Sequence, residues 1–402
     1  MPNSFSASRF TAHGVDSPFT ERLEASGVRM RRSLVPAFAS YVMLGVATTM
    51  LGPLLPLLQS QWALNDQLAG GLFLAQFLGG VCGALASGEI TRRTSSRTSA
   101  AVGFLLAALG FAVLPSGLRV LLYAGFALIG LGTGVAMPAV THIVVERSGE
   151  RSTQALHLLN FCWALGAILA PSLFLRIVDG DLHRLRLALW IVAGVLLPLG
   201  AWLPKVERQA AAVDSSRLNR FETRKLLSCA LLLFAYVGLE NGISGWLPTL
   251  AQRMAGFPSS SAALLQTIFW SCFLLGRLAI SAGTCKGIEL RLLAGSLCTA
   301  TAGLVWLLLA PAGLWYYLSA VLMGLGLSPV FSTAVALLSA RGSRAIRLRL
   351  GWVFASGGLG GAAVPYAVGA LASASGSLRI GMTACFLSCA VIAATAFDAR
   401  RW

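Results

Sequence analysis

Apolar residues occur along this chain in long runs, separated by short polar segments. Twelve runs approach or exceed twenty residues: 34–58, 67–88, 98–115, 119–144, 154–176, 187–204, 226–248, 262–283, 290–309, 314–339, 350–373 and 378–397. A helix rises about 1.5 Å per residue, so roughly 20 apolar residues cross a hydrocarbon layer of about 30 Å. Backbone amides in that layer must be paired within the segment, which helices achieve. The pattern predicts an all-α integral membrane protein with twelve transmembrane helices. Two polar segments punctuate it, a tail over 1–33 and a central linker over 205–225. They leave two six-helix bundles, 34–204 and 226–402. The tail is rich in Ser and Thr, turns basic at Arg29, Arg31 and Arg32, and is expected to be disordered and cytoplasmic. The run after it is too long for a signal-peptide core of about 7–15 residues.

Composition sharpens this picture. Of 402 residues, 56% are hydrophobic and 11% charged, against about 25% charged in soluble domains. That excludes an ordinary cytosolic enzyme, a disordered chain and a collagen-like one. The net charge of +16 rests on 28 Arg and three Lys, which cluster between the apolar runs. Cytoplasmic loops of membrane proteins collect such residues, so the charge speaks for orientation and not for a nucleic-acid partner. With the N-terminus inside, 24 basic residues fall on the cytoplasmic side, six outside, and Arg277 within a helix. Both termini are expected in the cytoplasm, and the inner membrane is the expected location. The eight Cys form no CxxC pair or Cys/His cluster, so neither metal nor disulfide is expected. No phosphate-binding, metalloprotease or serine-nucleophile motif occurs. The chain is therefore expected to be no enzyme, to need no cofactor, and to draw energy from an ion gradient. A monomer is expected.

The second half echoes the first at an offset of 192 to 194 residues. Leu55-Pro56 corresponds to Leu247-Pro248, and Gly83 to Gly276. Gly103 and Gly110 correspond to Gly295 and Gly303, and Gly130-Leu131-Gly132 to Gly324-Leu325-Gly326. Leu165-Gly166 with Pro171 corresponds to Leu359-Gly360 with Pro365. Leu185-Arg186 corresponds to Leu378-Arg379, so all six helix pairs share the offset, which predicts two parallel six-helix repeats. This is the major facilitator architecture, with the transport path between the halves.

Charged groups within the bilayer are costly and mark function. Of the 15 acids, Glu240 alone sits well inside a span, roughly 20 Å from the start of helix 7. Its first-half counterpart is Thr48, so the acid is not a repeated structural element. A carboxyl there can take up and release a proton, accept substrate hydroxyls, or tie neighbouring helices together. Gly238, Gly242 and Gly245 around it allow either close packing or local unwinding. Gln76, Asn160, Asn241 and Gln266 are the candidate amides, with Trp163 and Trp270 as aromatic neighbours. Amides bind hydroxyls and aromatic faces receive C–H surfaces, so the set suits a polyol. Trp246 and Trp352 lie near helix ends, where interfacial anchors occur. Arg277, near the inner end of helix 8, is a candidate gating residue.

Several segments resemble the fucose:proton symporter-like branch of the major facilitator superfamily, which includes bacterial glucose/mannose:proton symporters. They are Gly52-Pro53-Leu54-Leu55-Pro56, Gly70-Gly71 through Gln76-Phe77 and Gly79, Leu159-Asn160 with Gly166-Ala167 and Pro171, Tyr236 through Glu240 with Gly245-Trp246, and Phe269-Trp270 with Gly276-Arg277. The resemblance implies a secondary transporter that imports a sugar or similar polar molecule with a proton by alternating access. Members of that branch are expected to carry acids in helices 1 and 4; this chain offers Thr48, Thr49 and Thr133 instead, leaving Glu240 as the proton-coupling candidate. Gln76, Asn160, Trp163, Asn241, Gln266 and Trp270 are the expected substrate contacts. In the loop after helix 2, Ser87 or Glu89 takes the place of the usual acid. A proton-driven exporter of amphipathic compounds and a non-transporting nutrient sensor are the competing readings.

Overall fold

The structure is a computed structural model describing residues 18–178, 181–205, 220–282, 288–309, 313–334 and 350–398, with side chains from Leu34 onward. Its elements are helices: α1 (Pro18–Thr49), α2 (Leu51–Trp62), α3 (Asp66–Arg93), α4 (Ser96–Val113), α5 (Arg119–Ser148), α6 (Ser152–Val178) and α7 (Leu182–Trp202) in the first half. The second half holds α8 (Arg220–Ala255), α9 (Ser259–Ala282), α10 (Glu289–Leu309), α11 (Leu314–Leu327), α12 (Leu350–Ser375), α13 (Leu378–Met382) and α14 (Ala384–Asp398). Among the described residues eleven helical stretches are long and apolar enough to cross a membrane, α13 and α14 together forming one of them. The pair α1 and α2, bent by 41° at Met50, makes the twelfth. This is a multi-pass membrane protein.

The N-terminal segment departs from expectation, because α1 begins at Pro18 inside the polar tail. Proline suits a first helical position and Glu21 and Glu24 suit the first turns. An extension of a membrane helix also needs no new nucleus. Most of the expected linker (206–219) lies outside the described residues, and its end from Arg220 is already α8.

The repeat is visible in the packing. A Cβ on Gly166 would fall onto the carbonyl of Val42, and one on Gly360 onto that of Phe234. Gly130 sits on the Gln76 carbonyl and Gly324 on that of Phe269. Gly132 meets Gly103 and Ala107, and Gly326 meets Ser296 and Ala300. In each case both partners shift together by the sequence offset. One expected match fails: Gly295 faces open space, and Ser296 occupies the place of Gly103. These are small-residue contacts in which backbones touch directly, the packing available where lipid supplies no hydrophobic driving force between helices.

The two halves join on three seams: α3 with α12, α6 with α9, and α2 with α8. On the side away from the basic loops a polar cluster bridges them. Asn65 caps α3 by accepting from the Leu68 amide at 2.8 Å. Asp66 follows at the helix N-terminus, where an acid is favoured. Its carboxylate accepts from Arg253 Nη1 at 2.7 and 2.9 Å and from Gln59 Nε2 at 2.8 Å. Arg253 Nη2 donates to Gln59 Oε1 at 3.0 Å. Nearby, Gln67 donates to the Tyr366 hydroxyl at 3.3 Å. This side of the molecule is latched shut.

Two predictions follow from the packing and the latch. Gly360→Val overpacks a backbone contact and should cost about 1–3 kcal/mol, whereas Gly194→Ala, with open space around it, should be neutral. Thermal unfolding of the detergent-solubilised protein measures both. Asp66→Asn removes the charge from the latch, which is partly screened by solvent, and should shift the open-to-closed ratio on this side about fivefold. Distance distributions between spin labels at Ser60 and Ser260 should gain a longer population; unchanged distributions would show that the latch does not hold the halves.

Candidate functional site

The site grows from the break in the first span. Pro53 has no N–H, so the carbonyl of Thr49 loses its helical donor. The Thr48 and Thr49 hydroxyls bond back to the Leu44 and Gly45 carbonyls at 2.8 Å each, a pattern that bends helices. The freed carbonyls are met by glutamines. Gln76 Nε2 on α3 donates to the carbonyls of Ala47 and Thr48, both at 3.3 Å. Gln266 Nε2 on α9 donates across the halves to the Thr49 carbonyl at 3.4 Å. Each glutamine thereby spends its amide nitrogen, and each Oε1 is buried with no partner.

Two tryptophans meet at the same level. Trp163 on α6 donates its Nε1 to the Thr48 hydroxyl at 3.1 Å. Its ring meets Trp270 on α9 edge to face, with centroids 5.4 Å apart and planes at 86°. Trp270 is buried and its Nε1 has no partner. A closed cavity of about 10 Å³ lies beside the pair, lined in part by Thr48, Phe73, Asn241, Ser244, Gln266 and Trp270. That is room for about one water, so in this state the site is collapsed.

The expected substrate residues mostly converge. Asn241, Gln266 and Trp270 line the cavity, Trp163 touches Trp270, and Gln76 lies behind Thr48. Asn160 sits apart, exposed, with Nδ2 bonded to the Leu156 carbonyl of its own helix at 3.0 Å. Leu158, Leu165, Leu169 and Leu173 form the exposed apolar face of α6. Asn160 lies about 160° around the helix from Leu158, on the side shared with buried Ala164, Ala167 and Pro171. It therefore lies on the side of α6 away from that exposed leucine face.

Glu240 is 7% exposed, within the second half. It interacts with Tyr236 one turn earlier on α8 and with the charge of Arg277 on α9. The Tyr236 hydroxyl is buried and reaches normal hydrogen-bond geometry with neither. The Arg277 guanidinium lies 4.3 Å above the Phe273 ring and 5.9 Å from that of Phe331, and its Nε donates to the Ser328 carbonyl at 3.4 Å. Glu240 is absent from the lining of the small cavity, though its neighbours Asn241 and Ser244 contribute to it. The surrounding glycines serve packing: α8 is unbroken, with Gly238 against Val364, Gly242 against Cys385 and Gly245 against Phe73.

Other expectations are corrected. Trp246 is no interfacial anchor; it is fully buried and donates to the Pro365 carbonyl at 3.0 Å, whereas Trp352 is 69% exposed. Ser87 is buried and donates to the Val135 carbonyl at 2.9 Å. Glu89 instead pairs with Arg92 and Arg93 on the surface. The sequence reading passed over the hydroxyl of Thr48 as a Trp163 partner, Tyr236, and the Gln59–Asp66–Arg253 latch. Asp66 and Arg253 are 187 positions apart, and only the repeat geometry places α2, α3 and α8 side by side.

Comparison with known proteins agrees with this architecture. The sequence profile of the Major Facilitator Superfamily matches residues 37–347. A "Sodium-dependent glucose transporter 1A" from Mus musculus is 22% identical over 59% of this chain, which spans 65% of that relative. The chain spans 56% of the human relative of similar name, so it covers less than two thirds of either. A "Glucose/galactose transporter" from Brucella abortus is 25% identical over 84% of this chain and 86% of its own length. A variant of the E. coli fucose:proton symporter superposes with a TM-score of 0.62 at 20% identity, covering 91% of this chain and 98% of that one. With the family profile over most of its length and the repeat-related packing of both halves, the chain belongs to the Major Facilitator Superfamily.

Proposed function

We propose that the protein imports a sugar or similar polyhydroxylated small molecule, together with a proton, across the inner membrane by alternating access. The observation that carries this reading is the set of unpaired polar atoms at the Trp163–Trp270 contact. Gln76 Oε1 and Gln266 Oε1 are buried acceptors and Trp270 Nε1 is a buried donor. Leaving such groups unpaired costs about 1–3 kcal/mol each. A hydroxyl both donates and accepts, so a polyol satisfies acceptors and donor alike. The tryptophan faces supply the apolar surface that a sugar's C–H groups need. An exporter of amphipathic compounds needs no such convergence of amides. The sugar-transporter names of the relatives point the same way.

With the basic loops in the cytoplasm, the latched side faces outward. A closed outer side fits a state from which cargo leaves toward the cytoplasm. Glu240 is the proton site of this proposal. Ionised, it is held by Arg277; protonated, it frees that guanidinium to change partners, which couples the α8–α9 seam to the proton. Arg277 then gates through Glu240 and the aromatic pair Phe273 and Phe331. The cytoplasmic termini and the bundle limits 34–204 and 226–402 belong to the same proposal.

Three outcomes are expected. In proteoliposomes with an imposed inward proton gradient, the wild type accumulates a hexose. Glu240→Gln abolishes accumulation and spares exchange at equal concentrations; undiminished uphill uptake by this variant, or uptake that follows sodium alone, would remove the assignment. Trp270→Phe keeps an aromatic ring but trims the buried indole and removes its unpaired donor, so in the empty protein the cavity left and the relief of an unsatisfied N–H oppose each other. It should weaken sugar affinity about tenfold, read across a panel of sugars as a smaller sugar-dependent thermal shift measured from the variant's own empty state.

A further inference from the structure

A second groove lies far from this site, on the basic-loop side of the first half. It encloses about 410 Å³ between the start of the α1 membrane segment, the end of α5 and the beginning of α6. Val35, Phe38 and Leu158 form its apolar part, and Ser148, Arg151 and Gln154 its polar part. No acid is present among its described lining residues. Its direction follows from α6. Leu158, Leu165 and Leu169 recur at helical spacing on the exposed face of that helix, opposite Asn160, and exposed Arg151 lies in the turn just before it. The groove therefore opens toward lipid and not toward the transport path.

Three features select its occupant. The first is charge: Arg151 is exposed at the groove, beside the N-terminus of the 27-residue helix α6, whose free amides and dipole favour an anion. The second is an unsatisfied group: Ser148, only 6% exposed, lines the groove and its hydroxyl has no partner. The third is the apolar strip running from these polar groups toward the membrane interior, with Val35 55% exposed and Leu158 48% exposed. A free inorganic anion uses the first two features and leaves the third bare. A lipid with a zwitterionic headgroup uses the third, but its ammonium finds no acid among the described lining residues.

We propose that this groove is a binding site for one anionic phospholipid of the cytoplasmic leaflet. Its phosphodiester accepts hydrogen bonds from Arg151, Gln154 and the Ser148 hydroxyl, and one acyl chain lies along Val35, Phe38 and Leu158. All its described lining residues belong to the first half, so the lipid can stay bound while the halves rock. The site is independent of the sugar assignment.

The test uses the full chain in nanodiscs of phosphatidylcholine doped with phosphatidylglycerol, followed by native mass spectrometry after detergent release. The wild type should retain one phosphatidylglycerol per chain and no comparable phosphatidylcholine. Arg151→Gln should weaken retention about tenfold, and Ser148→Ala should weaken it by less. Arg151→Lys should restore much of it. Arg147→Gln is the control, because that guanidinium is spent on the Lys205 carbonyl at 2.6 Å; it should leave retention unchanged. Variants are compared at matched unfolding temperature and monodispersity, so a folding defect is not scored as lost binding. Equal retention of the two lipids, equal loss in Arg147→Gln, or displacement of the lipid by millimolar inorganic phosphate would each overturn the proposal.

Discussion

Pro53 cannot donate to the carbonyl of Thr49, and in a lipid-embedded interior that carbonyl must be paired from elsewhere. Much of the centre of this molecule follows from that constraint. The bend at Met50 frees backbone oxygens at the crossing point of the halves. Gln76 reaches them from within its own half and Gln266 from the opposite one. Each amide nitrogen is directed at these backbone carbonyls, and each Oε1 is left buried without a partner. The tryptophan contact lies beside a small cavity lined in part by Gln266 and Trp270, groups that remain short of partners. A structure with this tension is poised for a ligand rich in hydroxyls.

The same economy explains how the halves are held. Glycines let helices touch backbone to backbone, and the contacts recur in both repeats with both partners displaced by the same offset. Such packing is rigid within a half. The seams between halves combine both kinds of contact: specific bonds, such as Arg253 with Asp66, Ser172 with Thr267 at 3.3 Å and Trp163 with Trp270, and close glycine packing of α3 on α12, with Gly369 against the Asp66 carbonyl and Gly70 against Tyr366. A rocking motion has to release both on the closed side.

What the sequence disclosed and what it withheld divide along a physical line. Position across the membrane is written in the apolar runs, so twelve spans were legible. The repeat was legible because duplication leaves paired signals such as Leu55-Pro56 and Leu247-Pro248. Rotation about each helix axis was not, because lipid and apolar neighbours select the same residues. Glu240 could therefore be found but not its association with Arg277, and Trp246 read as an anchor when it is fully buried. The site of the bend was not legible for a similar reason. Glycines near Glu240 allowed either packing or unwinding and serve packing, and it is the first span that breaks, just before Pro53. Ion pairs such as Asp66 with Arg253 depend on the assembled repeat and leave no local trace.

The most direct test of the central claim is a structure determined with a saturating hexose. The account predicts the sugar ring at the parted Trp163 and Trp270 side chains, with hydroxyl oxygens about 3 Å from Gln266 Oε1 and Trp270 Nε1. A hexose bound elsewhere, with both of those atoms still unpaired, would contradict it.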